Sequence, residues 1–353
     1  MRPVVVTGMG VVSGGVVGGG DCLARFLAAP EWGGRRVDAA TLAGLLDGVD
    51  SRRTSRVSQL ALAATRLALA EARIEDVDAA AFMLGTEHGD LHSTIEFADG
   101  YLRSGPTGLS PLLFPNTVMN TMASATTIAV GARGPSLTLN VRTVGGELAV
   151  ARAARTVASG RVDVALAGGV DERDPLVEQV LDELGAGSDV RGEGATVLVL
   201  EALEHAVARG AEPWGEILGV GWRGLVARPN GVGRRSESRA IEEALEDAGL
   251  AARDIRWVYG SASGDPPRDA WERALVTRAL GPDVMLASLA PLLGQHAGLG
   301  ALRVAAAAWS AASGRLVDPP IEVAPGPGLV HGVARGGTHV ALVVGPPPNG
   351  VAR

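Results

Sequence analysis

The 353-residue chain contains no lysine, and all 32 of its basic residues are arginine. A Schiff-base lysine, a pyridoxal anchor and a phosphate-loop lysine are therefore excluded, since each needs an amine that can lose its proton or act as a compact point charge. There is one cysteine, Cys22, so no disulfide can form within the chain. With nothing basic flanking it closely, Cys22 reads as a small apolar residue rather than a nucleophile. Aromatic residues make up only 3%, against 49 glycines, which points to helices packed closely on sheets through small side chains. No charge-free run of about 18 apolar residues occurs, so no membrane-spanning helix is expected. The formal charge of −7 and a pI near 5.5 leave no concentrated basic face for nucleic acid. Met1-Arg2-Pro3 running into Val4-Val5-Val6 reads as the entry to a strand rather than a secretory leader, and a cytoplasmic location is expected.

What is present is an alternation of short apolar runs with helical patterns. Val4–Val6, Ala79–Leu84, Ser136–Asn140, Val162–Ala167 (stopped by Gly168-Gly169), Ala195–Leu200, Trp214–Gly221, Ile255–Tyr259 and Thr338–Val344 read as strands. Ser55–Arg73, Pro115–Val130, Gly145–Ser159, Ser236–Ala248, Asp269–Leu280 and Gln295–Ser313 read as helices. The alternation predicts an α/β layered fold. The pattern restarts near residue 214, suggesting two similar halves, residues 1–205 and 206–353.

Several motifs fall short of a function. Gly8-Met9-Gly10 follows a strand, but the dinucleotide fingerprint needs a glycine where Ser13 stands. No Gly-x-Ser-x-Gly elbow occurs. His88 and His92, with Glu87 and Asp90 nearby, have the spacing of two metal ligands on a helix. Gly89 breaks that helix and no third ligand is evident, so a solvated polar loop is expected and no metal.

Six segments in order carry a resemblance. They are Val4-Val5-Val6-Thr7-Gly8-Met9-Gly10, Ser110-Pro111 through Phe114-Pro115-Asn116-Thr117-Val118-Met119-Asn120, Gly134-Pro135-Ser136, Val162 through Gly168-Gly169-Val170-Asp171, Gly192-Glu193-Gly194-Ala195 with Val197–Glu201, and Gly336-Gly337-Thr338. Over roughly residues 1 to 345 the chain resembles the β-ketoacyl synthase family. That resemblance implies the thiolase fold, two similar α/β halves layered α-β-α-β-α.

Such enzymes place a reactive cysteine at the start of a buried helix, where the helix dipole and backbone N–H groups favour thiolate and oxyanion. By the resemblance that slot holds Thr143. The first histidine slot holds Ser261, the second Gln295, and the lysine slot Ala290. His296 would enter the second slot only by a one-residue slip, which the spacing of Gly294 and Gly298 opposes. The segment between Glu172 and Gly192 is shorter than in the family, and the gating loop reads His331-Gly332-Val333-Ala334-Arg335-Gly336-Gly337, without its phenylalanines.

A retained fold with the reactive positions replaced implies a role in shape. The resemblance points to the chain-length factor of type II polyketide systems, a non-catalytic subunit that pairs with an active ketosynthase, receives substrate on an acyl carrier protein and needs no cofactor. By the same resemblance, strand Ser136–Asn140 pairs across the dimer axis. Phe114, Asn116, Thr117, Val118, Asn120 and Thr121 then face the acyl tunnel, with the helix around Thr117–Thr121 toward the partner. Only Phe114 is aromatic among them, which implies a wide or long tunnel suited to a reduced or polyene chain. Two other readings remain: a homodimeric scaffold holding an acyl carrier protein or a lipid, and an acyltransferase working through Thr143.

Overall fold

The computed structural model describes residues 1–31, 34–48, 54–184, 191–225, 239–262, 264–334 and 336–348. The first half runs β1 (Val4–Ser13), β2 (Val16–Gly18), α1 (Gly20–Ala28), α2 (Ala39–Leu45), α3 (Arg56–Ala72), β3 (Ala81–Thr86), α4 (Leu91–Ser104), α5 (Thr121–Val130), β4 (Ser136–Asn140), α6 (Gly145–Ala158), β5 (Val164–Asp171), α7 (Pro175–Glu183), β6 (Gly194–Ala202) and α8 (Leu203–Ala208). The second runs β7 (Gly215–Gly224), α9 (Arg239–Ala248), β8 (Trp257–Tyr259), α10 (Pro266–Leu280), β9 (Met285–Ala287), α11 (Ala290–Leu293), α12 (Ala297–Ser313), β10 (Arg315–Leu316), β11 (Ile321–Glu322), β12 (Gly328–Val333) and β13 (Thr338–Gly345).

The main sheet has the order β4-β3-β5-β6-β1-β7-β13-β12-β8-β9, with β2 on β1. Outward from the β1–β7 junction, the two arms repeat one pattern. On one side β1, β6 and β5 are antiparallel neighbours and β3 and β4 follow in parallel; on the other β7, β13 and β12 are antiparallel and β8 and β9 follow in parallel. The helices repeat too. α3 packs on β1 and α9 on β7, while α6 and α12 lie between the two arms. The repeated packing has a repeated cause. A Cβ on Gly10 would meet the Ala64 carbonyl oxygen at 1.9 Å, and one on Gly221 would meet the Ala240 oxygen at 2.2 Å. In each half a strand glycine lets an alanine-faced helix touch the backbone.

Several expected bounds change. β1 does not end at Val6 but runs on through Gly8-Met9-Gly10 to Ser13. β5 does not stop at Gly168-Gly169 but continues to Asp171, because a side chain at either glycine would strike Thr196 of β6 or Ala297 at the start of α12. The helix expected over Pro115–Val130 is a 3₁₀ turn, Phe114–Thr117, followed by α5; Val118 between them is extended, so no helix spans 117–121. The expected Gln295–Ser313 helix begins at Ala297, and Gln295 and His296 lie in the segment before it. The polar stretch expected to be a loop contains the start of α4, where Asp90 accepts from the Ser93 N–H at 3.0 Å. Residues 236–238 of the expected Ser236–Ala248 helix lie outside the described residues. Among the described residues, no helix is long and apolar enough to cross a membrane.

Candidate functional site

The chain places Thr143 one residue ahead of α6, next to its N-cap Val144, with its backbone in the left-handed region (φ 63°). That conformation is strained for a β-branched residue. Its Oγ1 donates to its neighbour's carbonyl, Arg142 O, at 2.7 Å and lies 3.4 Å from the Val333 oxygen. Val333 ends β12, and its N–H donates to Ser261 Oγ at 3.0 Å. Gln295 Nε2 in turn donates to the Ser261 and Ala262 carbonyl oxygens at 2.7 and 3.2 Å. Thr143, Ser261 and Gln295, far apart in sequence, are thus gathered around Val333. Ala290 opens the short α11, and its carbonyl accepts the N–H of Gly294, next to Gln295, at 2.8 Å. It is buried and contributes only a methyl group.

The arrangement is closed upon itself. Ser261 Oγ takes up the Val333 N–H, while Gln295 spends its amide on backbone oxygens. Gln295 and His296 differ through the extended conformation at His296 (φ −161°, ψ 161°), not through helical rotation. His296 is buried, with Nε2 3.4 Å from Ser13 Oγ. Burial lowers its pKa to about 4, so it is neutral near pH 7.

Beneath the site lies a charged network with no forewarning in any motif. Glu147, in the first turn of α6, pairs with Arg303 of α12, and both are buried. Arg303 also reaches the His331 carbonyl at 3.4 Å. His331 Nδ1 bonds Glu272 Oε1 at 3.0 Å, and both Glu272 oxygens accept the Ser261 N–H. Burial pushes the Glu147 carboxyl above its usual range, against the pull of Arg303. Burial acts on Glu272 in the same sense, but the His331 bond and charge and the Ser261 N–H outweigh it and hold that carboxyl low. Sequence reasoning missed these residues; the available signal was a single acid and a single arginine inside two alanine-rich helices.

His339 closes the cluster, its ring edge-on to Trp271 with centroids 5.0 Å apart. Neither ring nitrogen has a hydrogen-bond partner among the described residues. Burial, helped by the nearby His331 charge, lowers its pKa to about 3. The unfolded chain takes up this proton as pH falls through about 6.5, the folded chain only near 3, so His339 withdraws stability on acidification across that window. His339→Phe should raise stability at pH 7 by about 1–2 kcal/mol, the order of an unsatisfied buried polar group. It should also move the acid-unfolding midpoint, followed by circular dichroism, to lower pH.

The other expected positions lie apart from this cluster. Phe114, Val118 and Asn120 are exposed and Asn116, Thr117 and Thr121 half-buried, all on the surface segment leading into α5. Phe114 packs against Phe97 of α4, with centroids 5.9 Å apart. Leu112 is 83% and Ile128 82% exposed, so this face carries more apolar surface than a solvated one usually does. β4 is the outermost strand on the same arm. His92, on α4, bonds Asp174 at 3.0 Å, while His88 lies beside Glu87 and Arg191. The described residues contain no group of three or more potential metal ligands.

The family profile described as "Beta-ketoacyl synthase, N-terminal domain" matches residues 24–206. A polyketide β-ketoacyl synthase 1 of Streptomyces halstedii is 32% identical, over 86% of this chain and 84% of its own length. The chain belongs to the β-ketoacyl synthase family. A second family relative, 3-oxoacyl-[acyl-carrier-protein] synthase 2 of Vibrio cholerae, is 29% identical over 79% of this chain and 78% of its own. Solved structures share the family fold. The ishigamide ketosynthase/chain length factor superposes with a TM-score of 0.86 at 24% identity, covering 98% of this chain and 99% of that one. A type II polyketide synthase acyl-carrier protein in complex with its ketosynthase gives 0.80 at 20% identity, with the same coverage. The α/β architecture described above is thus the thiolase-like fold of the ketosynthases.

Proposed function

We propose that this chain is the non-catalytic, chain-length-factor-like subunit of a type II polyketide ketosynthase pair, shaping the chamber into which the partner's acyl chain grows. The observation that carries this reading is the self-closed site. Thr143, Ser261, Gln295 and Ala290 offer no thiolate, imidazole or ammonium, and the Thr143 and Ser261 hydroxyl oxygens and the Gln295 amide nitrogen bond to the protein's own backbone. A threonine nucleophile needs an adjacent base. Thr143 Oγ1 instead faces two carbonyl oxygens, which weighs against acyl transfer through it. The likeness to the ishigamide pair and to an acyl-carrier-protein complex supports an active ketosynthase and an acyl carrier protein as partners.

Co-expression with a ketosynthase carrying an intact cysteine and two histidines should yield a one-to-one complex by native mass. A stable homodimer that ignores the ketosynthase, or condensing activity by this chain alone, would overturn the reading. Within the complex, Val118 and Thr121 lie where a growing chain would meet this subunit, and both are small. Val118→Trp and Thr121→Trp should shorten the product by one or more extension units, read by mass spectrometry. Unchanged products from both variants with the complex intact would remove these positions from length control, and with them the inference of a roomy chamber for a reduced or polyene chain.

A further inference from the structure

β7 has an open edge. β1 fills the row beside it only as far as Val4, opposite Ile217, and among the described residues no strand carries that row on along residues 218–224. Two cavities follow the row instead, one of about 310 Å³ beside Val4 and residues 217–220, the other of about 600 Å³ along residues 220–223.

What this edge presents follows from the pairing on its other side. Opposite residues of an antiparallel pair alternate between those that exchange both backbone bonds and those whose groups point away. Val220, opposite Leu342 of β13, is of the second kind: its N–H donates to Asp247 Oδ2 at 3.0 Å and its carbonyl accepts from Arg155 at 3.3 Å. By the same alternation Trp222, opposite Val340, and Gly224, opposite Thr338, turn their N–H and carbonyl groups to the open side. The Leu225 N–H, donating to Gly337 at 2.6 Å, keeps that phase. Asp247 and Arg155, paired with each other at 3.1 Å, thus close the edge at Val220. Further on, no side chain among the described residues takes the N–H of Trp222 or Gly224, and the Trp222 carbonyl has only the neighbouring Arg223 guanidinium at 3.4 Å. Trp222 is half-buried and Gly224 exposed. Backbone groups set out in this way are a template for one more strand.

The flanks decide what fits. The larger cavity is walled by Arg155 of α6 on one side and by Glu243, Glu246 and Asp247 of α9 on the other, which suits a single extended segment rather than the edge of another sheet. Side chains of an added strand alternate between these two sides. On the α6 side Arg152 already lies over the Trp222 ring, 5.5 Å from its centroid, so an apolar side chain is favoured there and a second cation opposed. On the α9 side Arg223 is paired with Glu243, while Glu246 is exposed and has no ion pair among the described residues. A basic side chain is favoured there. We propose that the open edge of β7 binds an extended segment of a protein partner by strand addition, with apolar residues turned to Trp222 and arginine or lysine turned to Glu246. This surface lies at the β1–β7 junction, not on the outermost strand β4, and the inference does not depend on the subunit reading.

The test uses a fluorescein-labelled Arg-Val-Arg-Val-Arg peptide, followed by fluorescence anisotropy with the purified chain, or with its ketosynthase complex if it is obtained only in that form. A Glu-Val-Glu-Val-Glu peptide should bind about tenfold more weakly or worse. In an added antiparallel strand the residue opposite Trp222 shares its side and turns its own N–H to β7. Methylating the valine nitrogens should therefore cost about tenfold or more, whereas methylating the arginine nitrogens should cost little. Gly224→Pro removes an outward donor and should weaken the arginine peptide about tenfold without lowering the thermal midpoint, because that donor bonds nothing inside. Glu246→Arg, a surface change, should weaken the arginine peptide and strengthen the glutamate one. Absence of binding overturns the proposal. So does equal loss on methylating either set of nitrogens, which would mark adsorption by charge alone, and so does binding that survives both Gly224→Pro and Glu246→Arg.

Discussion

Replacing Arg303 by methionine is expected to destabilise the chain by about 3–5 kcal/mol, the cost of stranding one member of a buried ion pair. The partner left behind, Glu147, is fully buried in α6, and its Oε2 already lacks a hydrogen bond among the described residues. Burial favours its neutral form even with the arginine present. Without the arginine its folded pKa rises further above the unfolded value. A raised carboxyl pKa leaves stability intact below the unfolded pKa and withdraws it as pH rises. The Arg303→Met loss should therefore be smaller at pH 5 than at pH 8. Glu147→Leu strands the arginine, which cannot shed its charge, so its loss should show no such relief. The double variant, Glu147→Leu with Arg303→Met, should return close to the starting stability, because two apolar side chains of similar bulk replace a pair whose desolvation offset most of its attraction. Urea midpoints at the two pH values decide the matter. A double variant as unstable as the sum of the singles would show that the network contributes net stability, through His331 and Glu272 as well as the pair.

The second large effect concerns the edge of the sheet. The Phe82 N–H donates to the Pro135 carbonyl at 2.9 Å, and β3 and β4 run parallel with Phe82 opposite Ser136. By the alternation of a parallel ladder, the N–H groups of Leu137 and Leu139 point toward β3 and those of Ser136, Thr138 and Asn140 point outward. Thr138→Pro removes an outward donor and leaves the internal ladder intact, whereas Leu137→Pro breaks the ladder itself. If β4 pairs with the equivalent strand of a ketosynthase, Thr138→Pro should weaken that association by about a hundredfold, near 2.7 kcal/mol, while barely changing the thermal midpoint of the isolated chain. Leu137→Pro should lower that midpoint whether or not the partner is present. Dissociation constants from analytical ultracentrifugation distinguish the cases, and unaltered association of Thr138→Pro would place the partner on another face.

The sequence was most readable where an element is bounded by chemistry close to it in the chain. Ser136–Asn140 stands between Pro135 and a polar turn, and the strand has those ends. The alanine-rich run from Gly145 forms a helix from that residue. It was least readable where distant backbone decides. Gly168 and Gly169 read as a stop yet lie inside β5, because what they accommodate, Thr196 and Ala297, comes from elsewhere in the chain. β12 was hidden because its residues were weighed as a gating loop, and α4 because Gly89 and the two histidines suggested a solvated turn. The gathering of Thr143, Ser261 and Gln295 around Val333 could be approached only through family resemblance. The Glu147–Arg303 and Glu272–His331 pairs span 156 and 59 residues, and no local pattern announces such partners.

The central position of α12 has a consequence for how the molecule comes apart. This helix belongs to the second half of the chain, yet it packs on β5 and β6 of the first as well as on β12 and β13 of its own. Asp171, at the end of β5, accepts its first N–H, from Ala297, at 2.7 Å. α6, from the first half, returns the exchange by touching β13 and β7. Each arm is thus completed by a helix the other contributes. A ribosome that has released only residues 1–205 has made an arm that α6 covers in part and α12 does not yet reach, so the two arms are expected to unfold as one cooperative unit.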